Sequence, residues 1–333
     1  MKNIMIVIVS ALLLAASVCT ASAMTLNAAG ATFPYPLYSK WFYSYAKQTG
    51  TKINYAAIGS GAGIQQIEAR TVDFGCSDAP LSGADQKKNN LFMFPTVGGA
   101  VAMTYNLPGV RTGLKLLPST IADIYLGKVK KWNDPEITRL NPGINFPNMP
   151  VIVVHRSDGS GTTNIFTWFL SDASPLWRQR VGAGTSVNWP VGLGGKGNQG
   201  VAGTIQKTRG AFGYVELAYV LQSGMTYAAV RNSSGNWVYP SLANAREAAS
   251  HAKIPANFYI KFTNAPGKNS YPIAGFTFML VPKNLAPAKA AAVKSYVRWA
   301  YTNGDRDALS LDYVPLPAKL KTRILNELNR QVR

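Results

Sequence analysis

Short runs of β-branched and apolar residues alternate with longer amphipathic stretches along this chain. The short runs predict strands at 52–58, 72–75, 151–155, 211–215 and 277–281. The amphipathic stretches predict helices at 36–49, 62–70, 162–170, 286–302 and 318–332. Strands and helices that alternate in this way are typical of an α/β protein.

The first 23 residues form a segment of a different kind. Lys2 precedes an apolar run over 4–16, and Ala21-Ser22-Ala23 provides a small-x-small cleavage site. The run is shorter than the about 20 residues that a membrane helix needs, which makes a membrane anchor the weaker alternative. We therefore predict a cleavable signal peptide at 1–23 and export of the remaining chain.

The composition argues against several kinds of site. Cys76 is the only cysteine after the predicted cleavage point, so the exported chain has no partner for an intramolecular disulfide and no thiolate metal site. His155 and His251 are the only histidines, and a metal hydrolase usually needs more histidines or clustered carboxylates. We expect neither a metal nor a cofactor.

The formal net charge is +19, from 34 Lys and Arg against 15 Asp and Glu. Basic residues are scattered except in the run over 319–333, and no helix-turn-helix, zinc-finger or RNP-like motif is present. The charge therefore predicts a solvated positive surface that attracts small anions, and no nucleic-acid partner. An alternative is a surface-interaction protein that binds heparin or anionic vesicles through the basic tail.

Three loops repeat one design, in which small and hydroxylated residues come just before a predicted helix. These loops are AGATF at 29–33, GSGAG at 59–63 and RSDGSGTT at 156–163. The first N–H groups of a helix lack partners and the helix dipole is positive there, so such an end binds anions. An ordinary N-cap explains any one of the loops, but three of one design, with Arg156 in the third, indicate an anion site. The third loop lacks the Lys of a Walker A motif, so nucleotide triphosphate chemistry is not expected.

A carboxylate complicates this anion site. Asp78 follows the predicted strand at 72–75 and lies in a turn that ends at Pro80. Taken alone, it is a turn residue or a cap. Beside an anion it makes chemical sense only if the anion carries a proton for the carboxylate to accept.

Ten segments in order over nearly the whole exported chain resemble the periplasmic phosphate-binding proteins of high-affinity ABC phosphate transporters. They are NAAGATFPYPLYSKWF, GSGAGIQQI, VDFGCSDAPLS, FPTVGGAVAMTYNLPG, IYLGKVKKWNDPEI, LNPGINFPNMPVIVVHRSDGSGTT, WPVGLGGKGNQGVAG, GAFGYVELAYV, YPIAGFTFML and LDYVPLP. The resemblance implies a two-lobed Venus-flytrap α/β fold, each lobe a central mixed sheet flanked by helices. It places lobe I at 24–97 and 277–333 and lobe II at 98–276, with hinge crossovers near 98–103 and 275–278.

The resemblance also assigns site residues. The family's phosphate contacts fall on Ala31, Thr32, Phe33, Ser60, Asp78, Arg156, Ser160, Gly161 and Thr162, and Asp158 matches a residue that pairs with the arginine. It implies that hydroxyls, backbone N–H groups and Arg156 donate to phosphate oxygens, while ionised Asp78 accepts from the P–OH. Sulfate lacks that proton, and sites built for a ligand hydroxyl reject analogues without it by roughly 10⁴–10⁵.

The function that the resemblance implies is a monomeric periplasmic protein, not an enzyme, that binds inorganic phosphate and delivers it to the membrane permease subunits of an ABC importer. The alternative is a secreted phosphatase or phosphotransferase with Ser160 as nucleophile and His155 as base. No carboxylate is obviously placed to orient His155, which favours a structural histidine. Cys76 stands where the family has a small residue such as alanine, and we expect it to pack as a small buried side chain.

Overall fold

The computed structural model describes residues 24–333, and the predicted signal peptide at 1–23 lies outside them. The strands are β1 (Thr25–Gly30), β2 (Lys52–Ala57), β3 (Phe74–Ser77), β4 (Leu91–Asn106), β5 (Lys115–Leu116), β6 (Ile152–Arg156), β7 (Leu193–Gly195), β8 (Ala211–Glu216), β9 (Thr226–Tyr227), β10 (Ala229–Arg231), β11 (Trp237–Val238) and β12 (Ala274–Pro282). The helices are α1 (Tyr35–Thr49), α2 (Ser60–Glu68), α3 (Gly83–Lys88), α4 (Pro118–Tyr125), α5 (Pro135–Thr138), α6 (Gly161–Ala173), α7 (Pro175–Arg180), α8 (Gly197–Lys207), α9 (Leu217–Gln222), α10 (Leu242–Ser250), α11 (Pro287–Asn303), α12 (Asp305–Ser310) and α13 (Ala318–Gln331). The predicted α/β class is confirmed.

A mixed nine-stranded sheet forms the centre of the molecule, in the order β2-β1-β3-β12-β4-β8-β6-β7, with β9 also paired to β4. Strand β1 runs parallel to β2 and β3, and β6 runs parallel to β7 and β8. The strands β4 and β12 are antiparallel to their neighbours and lie between these two parallel sets. In both sets, the loops that follow the parallel strands lie at the carboxyl ends of those strands. Open α/β sheets bind ligands at this edge.

Strand β4 joins the two sets because it is 16 residues long and changes partner along its length. Its residues up to Ala100 pair with β12, whereas Val101 and the residues after it pair with β8. The change falls within the expected crossover at 98–103, yet the hydrogen-bonded path continues through β4. The two sheets that were expected, one in each lobe, are therefore hydrogen-bonded into one continuous sheet through β4. The lobe boundaries stay a prediction.

Helix α1 has the amphipathic pattern from which it was predicted. Helix α1 buries Leu37, Tyr38, Trp41, Phe42 and Tyr45, which form one apolar face. Its C-cap is left-handed at φ 75°, a conformation that glycine adopts without strain. The helix predicted at 36–49 is therefore confirmed.

Two predicted elements begin at different residues. The strand expected at 72–75 is β3, which begins at Phe74, where its pairing with Ala28 of β1 begins. The helix expected at 62–70 is α2, which begins at Ser60. The glycines after Ser60 therefore form the first turn of α2 instead of a loop before it, because Gly59 makes the turn into the helix with φ 96°.

Candidate functional site

The loops predicted to bind an anion meet at the carboxyl ends of β1, β2, β3 and β6. The N–H of Gly61, in the second loop, donates to the carbonyl of Gly159 in the third loop across 2.9 Å. A Cβ placed on Gly161 would lie 2.5 Å from the Cβ of Asp78 and 2.6 Å from Ser60 Oγ. Only glycine fits between these elements, so the second and third loops and Asp78 pack directly against one another.

The start of helix α6 supplies donors to this site. Ser160 is the N-cap residue, and its Oγ accepts from the N–H of Thr163 at 3.0 Å. The N–H groups of Gly161 and Thr162 come earlier in the first turn, where no carbonyl of the same helix accepts from them. Together with the positive end of the helix dipole, these two N–H groups can bind an anion.

Asp78 is buried in the same site, with a relative exposure of 2%. Its Oδ1 accepts from the hydroxyl of Thr277 at 2.7 Å, and its N–H donates to Ser60 Oγ at 3.1 Å. Burial raises the pKa of Asp78 to about 7, although the Thr277 hydrogen bond and the charge of Arg156 oppose the rise. The charge of the carboxyl therefore depends on pH near neutrality, and the ionised form expected beside a ligand stays a prediction.

Arg156 and Asp158 form the expected pair. Nε of Arg156 donates to Oδ1 of Asp158 at 2.7 Å, and Nη2 donates to Oδ2 at 2.5 Å. Partial burial raises the pKa of Asp158, but its bonds to Arg156 outweigh this and hold the pKa below the usual value. The bidentate pair leaves Nη1 directed towards Thr162, whose Oγ1 is 3.5 Å away.

Asn198 is a member of the site that the sequence analysis missed. Its backbone N–H and its Nδ2 donate to Thr32 Oγ1 at 3.1 and 3.0 Å, and Nδ2 also donates to Thr162 Oγ1 at 3.1 Å. Asn198 lies in the first turn of α8, after the glycines of WPVGLGGKGNQGVAG. This segment repeats the design of small residues before a helix, and that repetition was the signal that could have identified it.

Ala31 and Phe33, two predicted phosphate contacts in the first loop, each use a backbone carbonyl in a hydrogen bond within the protein. The N–H of Ala31 donates to the carbonyl of Cys76 at 2.9 Å, and the carbonyl of Ala31 accepts from Tyr55 at 2.8 Å. Because both polar groups are occupied, Ala31 can contact an anion only by van der Waals packing. The carbonyl of Phe33 accepts from Tyr313 at 2.7 Å, and this bond fixes the loop. Cys76 is fully buried as expected, and burial raises the pKa of its thiol.

A second buried carboxyl lies behind the first loop. Glu216 ends β8 with no exposed surface, and its Oε2 accepts from the N–H of Ala218 at 3.0 Å and lies 2.9 Å from the hydroxyl oxygen of Tyr313. Its Oε1 has no hydrogen-bond partner among the described residues. Desolvation raises the pKa of Glu216 well above its usual value, which favours the protonated carboxyl.

The residues of the enzyme alternative are not brought together. The ring of His155 stacks on Trp189 with 4.7 Å between centroids, and its Nδ1 lies 3.0 Å from the carbonyl of Arg156. Burial lowers its pKa. Ser160 Oγ caps α6 instead, and no hydrogen bond over 24–333 joins it to His155. The described chain also contains no cluster of His, Cys, Asp or Glu suited to a metal ion, and none of its helices is long and apolar enough to span a membrane.

Comparison with known proteins gives relatives over most of the chain. The family model of the PBP superfamily domain matches residues 16–303. The phosphate-binding protein PstS of Xylella fastidiosa (strain Temecula1 / ATCC 700964) is 46% identical over 303 residues, which are 90% of this chain and 83% of that protein. The phosphate-binding protein PstS of Pasteurella multocida (strain Pm70) is 44% identical over 318 residues, 94% of this chain and 92% of that protein.

Solved structures share the fold. A high-affinity periplasmic phosphate-binding protein bound with phosphate superposes with a TM-score of 0.75 at 22% identity, covering 90% of this chain and 93% of that one. A phosphate-binding protein from Stenotrophomonas maltophilia superposes with a TM-score of 0.70 at 19% identity, covering 91% of this chain and 93% of that one. These matches confirm the two-lobed binding-protein fold. With the identity to PstS proteins over nine tenths of its length, the chain belongs to the PstS family within the PBP superfamily.

Proposed function

We propose that this protein binds inorganic phosphate in the periplasm and delivers it to the permease subunits of an ABC importer. The observation that carries the proposal is the buried carboxyl of Asp78, which lies close to the hydrogen-bond donors at the start of α6. The names of the PstS relatives and a phosphate-bound structure of the same fold support it.

The proposed donors come from the loops that meet at the carboxyl ends of the strands. They are the N–H groups of Phe33, Gly161 and Thr162, the hydroxyls of Thr32, Ser60, Ser160 and Thr162, and Nη1 of Arg156. These groups bind any tetrahedral oxyanion, and the arginine adds a charge-assisted bond. Asp78 supplies the acceptor, and it needs a proton on the ligand when it is ionised. A fully deprotonated oxyanion such as sulfate would set its lone pairs against those of the carboxylate, so this carboxyl selects a protonated anion.

Capture would close the molecule around the ligand. Ser60 and Asp78 lie in the segment 24–97, whereas Arg156 and Gly161 lie in 98–276, so phosphate would bridge the two proposed lobes. Hinge closure around a ligand is common among periplasmic binding proteins. The closed, liganded form of a monomer would then be what the importer recognises, and the strongly positive net charge would steer anions to the cleft.

Calorimetry on refolded, ligand-free protein tests the proposal. Phosphate and arsenate should bind, and sulfate should produce no heat at about pH 8.5 and the same salt, where Asp78 is ionised. No phosphate binding, or equal binding of sulfate, would refute it.

A second assay distinguishes a binding protein from the alternative, a secreted phosphatase. Incubation with a chromogenic phosphate ester should give no turnover, because His155 is stacked on Trp189 and not hydrogen-bonded to Ser160. Turnover that disappears in Ser160→Ala would support a phosphatase instead.

A further inference from the structure

We propose that Asn198 is a positioning residue with two effects. It orients the hydroxyls of Thr32 and Thr162 so that they donate to the ligand, and it stabilises the closed form of the cleft. The inference rests on the proposed function and concerns how that site reaches its affinity. The side chain has no exposed surface, and each of its polar atoms has a partner.

The orientation of the Asn198 amide follows from one contact. The backbone N–H of Glu216 points at the side chain from 2.9 Å, and an N–H can only donate. The atom that faces it must therefore be the carbonyl oxygen Oδ1. Consequently Nδ2, with its two protons, must face Thr32 and Thr162.

This orientation decides what the two threonine hydroxyls can do. Thr32 Oγ1 accepts from both N and Nδ2 of Asn198, which occupies both of its lone pairs. Thr162 Oγ1 accepts from Nδ2 and faces Nη1 of Arg156. A hydroxyl whose lone pairs are occupied has only its proton left to offer. Both hydroxyls are thereby committed to donate to an oxyanion.

Asn198 also connects the two proposed lobes. Thr32 belongs to 24–97, whereas Asn198 and Thr162 belong to 98–276, so both hydrogen bonds to Thr32 cross the cleft. The neighbouring N–H of Gly197 donates to Oδ1 of Asp158 at 3.0 Å and so supports the partner of Arg156. The first turn of α8 thus acts on both lobes, and its bonds to Thr32 would form only in the closed state.

Two substitutions test this role. Asn198→Ala removes the side-chain bonds to Thr32 and Thr162 and keeps only the backbone N–H bond to Thr32. We expect phosphate affinity to fall on the order of 10–100-fold, mostly through faster release. Asn198→Asp keeps the shape, but its carboxylate accepts from the hydroxyls instead of donating to them. We expect at least as large a loss near pH 8. The ratio of its dissociation constant to that of the wild type should shrink as the pH is lowered, because a protonated Asp can donate again.

Asn141→Ala is the matched control. Asn141 is also buried within 98–276, and its Nδ2 donates to the carbonyls of Lys115 and Ile137, neither of which is a residue of the site. This variant should lose thermal stability and keep its phosphate affinity. At about pH 8.5 sulfate should stay excluded in every variant, because Asp78 is unchanged and ionised there.

The inference is overturned if both Asn198 variants bind phosphate like the wild type, or if the loss in Asn198→Asp does not change with pH. It is also overturned if Asn141→Ala loses as much affinity. Failure of the proposed function would look different, since the wild type itself would then bind no phosphate.

Discussion

The hydroxyl of Thr277 donates to Oδ1 of Asp78 across 2.7 Å, although the two residues are 199 positions apart in the chain. Thr277 lies on β12, where the pairing with β4 shifts register between Thr277 and Phe278. The selective carboxyl is therefore held by the strand that the sequence analysis assigned to a hinge crossover. Because one carboxylate oxygen is occupied by this hydroxyl, the other is available to a protonated ligand.

Thr277→Val should raise the pKa of Asp78 further above about 7, because the hydroxyl that stabilises its ionised form is lost. The carboxyl would then stay protonated to a higher pH, and a protonated carboxyl can donate to sulfate. We expect sulfate to compete with phosphate at a pH roughly one unit higher than in the wild type. Competition binding between about pH 6 and about pH 8.5 measures this shift.

Thr277→Ser is the control for that experiment, since it keeps the hydroxyl and should behave like the wild type. An unchanged onset of sulfate competition in Thr277→Val would mean that the hydrogen bond does not set the protonation of Asp78.

Asp78→Asn should keep appreciable phosphate binding but lose discrimination. The amide removes the repulsion of sulfate oxygens and offers an N–H in place of a lone pair. Sulfate should therefore become a measurable competitor at a fixed pH and salt. Asp172→Asn changes an acidic residue that pairs with Lys261 outside the site, and it should leave selectivity intact. If Asp78→Asn and the wild type exclude sulfate equally, Asp78 is a turn residue and selectivity has another origin.

Arg156→Ala should weaken phosphate binding, because a buried charged donor is lost. Removal of one partner from such a bond typically costs about 2–5 kcal/mol. We expect the lower end of this range, since Asp158 already engages Nε and Nη2 and only Nη1 is left for the ligand. Calorimetry on the variant gives the value, and affinity equal to that of the wild type would exclude Arg156 from contact with phosphate.

The double variant Arg156→Ala with Asp158→Ala separates two causes of that loss. In the single variant the carboxylate of Asp158 is left unpaired near the anion. If its repulsion contributes, the double variant should bind phosphate more tightly than Arg156→Ala alone. Equal affinity of the two variants would assign the whole loss to the missing guanidinium.

The parts of the site that the sequence predicts are those with a local pattern. Glycines and hydroxyls before α6 indicate an anion site because helix starts have that property wherever they occur. Asn198 also lies at a helix start that follows glycines, but its partner could not be read from that pattern, since its bonds to Thr32 span 166 positions and depend on how the chain folds back. Long-range contacts of this kind are set by the tertiary structure.

Strand β4 was missed for a related reason. Pro95, Gly98 and Gly99 interrupt its apolar run, and such residues within a run usually argue against a strand. Here Gly99 is required because a Cβ would lie 2.8 Å from the ring of Phe33. The glycine that obscures the strand in the sequence is the one that lets the first loop pack on it.

Glu216→Gln should stabilise the protein at neutral pH and have little effect near pH 4. Folding raises the pKa of Glu216, so the folded state holds a proton that the unfolded chain releases above about pH 4.5. The wild type therefore loses stability as the pH rises through this window, whereas the neutral amide does not. Thermal unfolding of both proteins at several pH values should show a difference in Tm that grows with pH. A difference that is constant with pH would mean that Glu216 does not titrate in this way.

Gly161→Ala should prevent the cleft from closing without harming the fold. The added Cβ would lie 2.5 Å from Asp78 Cβ and 2.6 Å from Ser60 Oγ, both on the opposite side of the site. Overpacking of this kind costs about 1–3 kcal/mol, which corresponds to roughly 5–150-fold in phosphate affinity. If the ligand-free protein is open, its Tm should not fall, because alanine is a better helix former than glycine. Gly203→Ala adds the same methyl group within α8, where no atom lies within 4 Å, and should leave phosphate affinity unchanged. A Gly161→Ala protein that binds phosphate like Gly203→Ala would contradict closure of 98–276 onto 24–97 around the ligand.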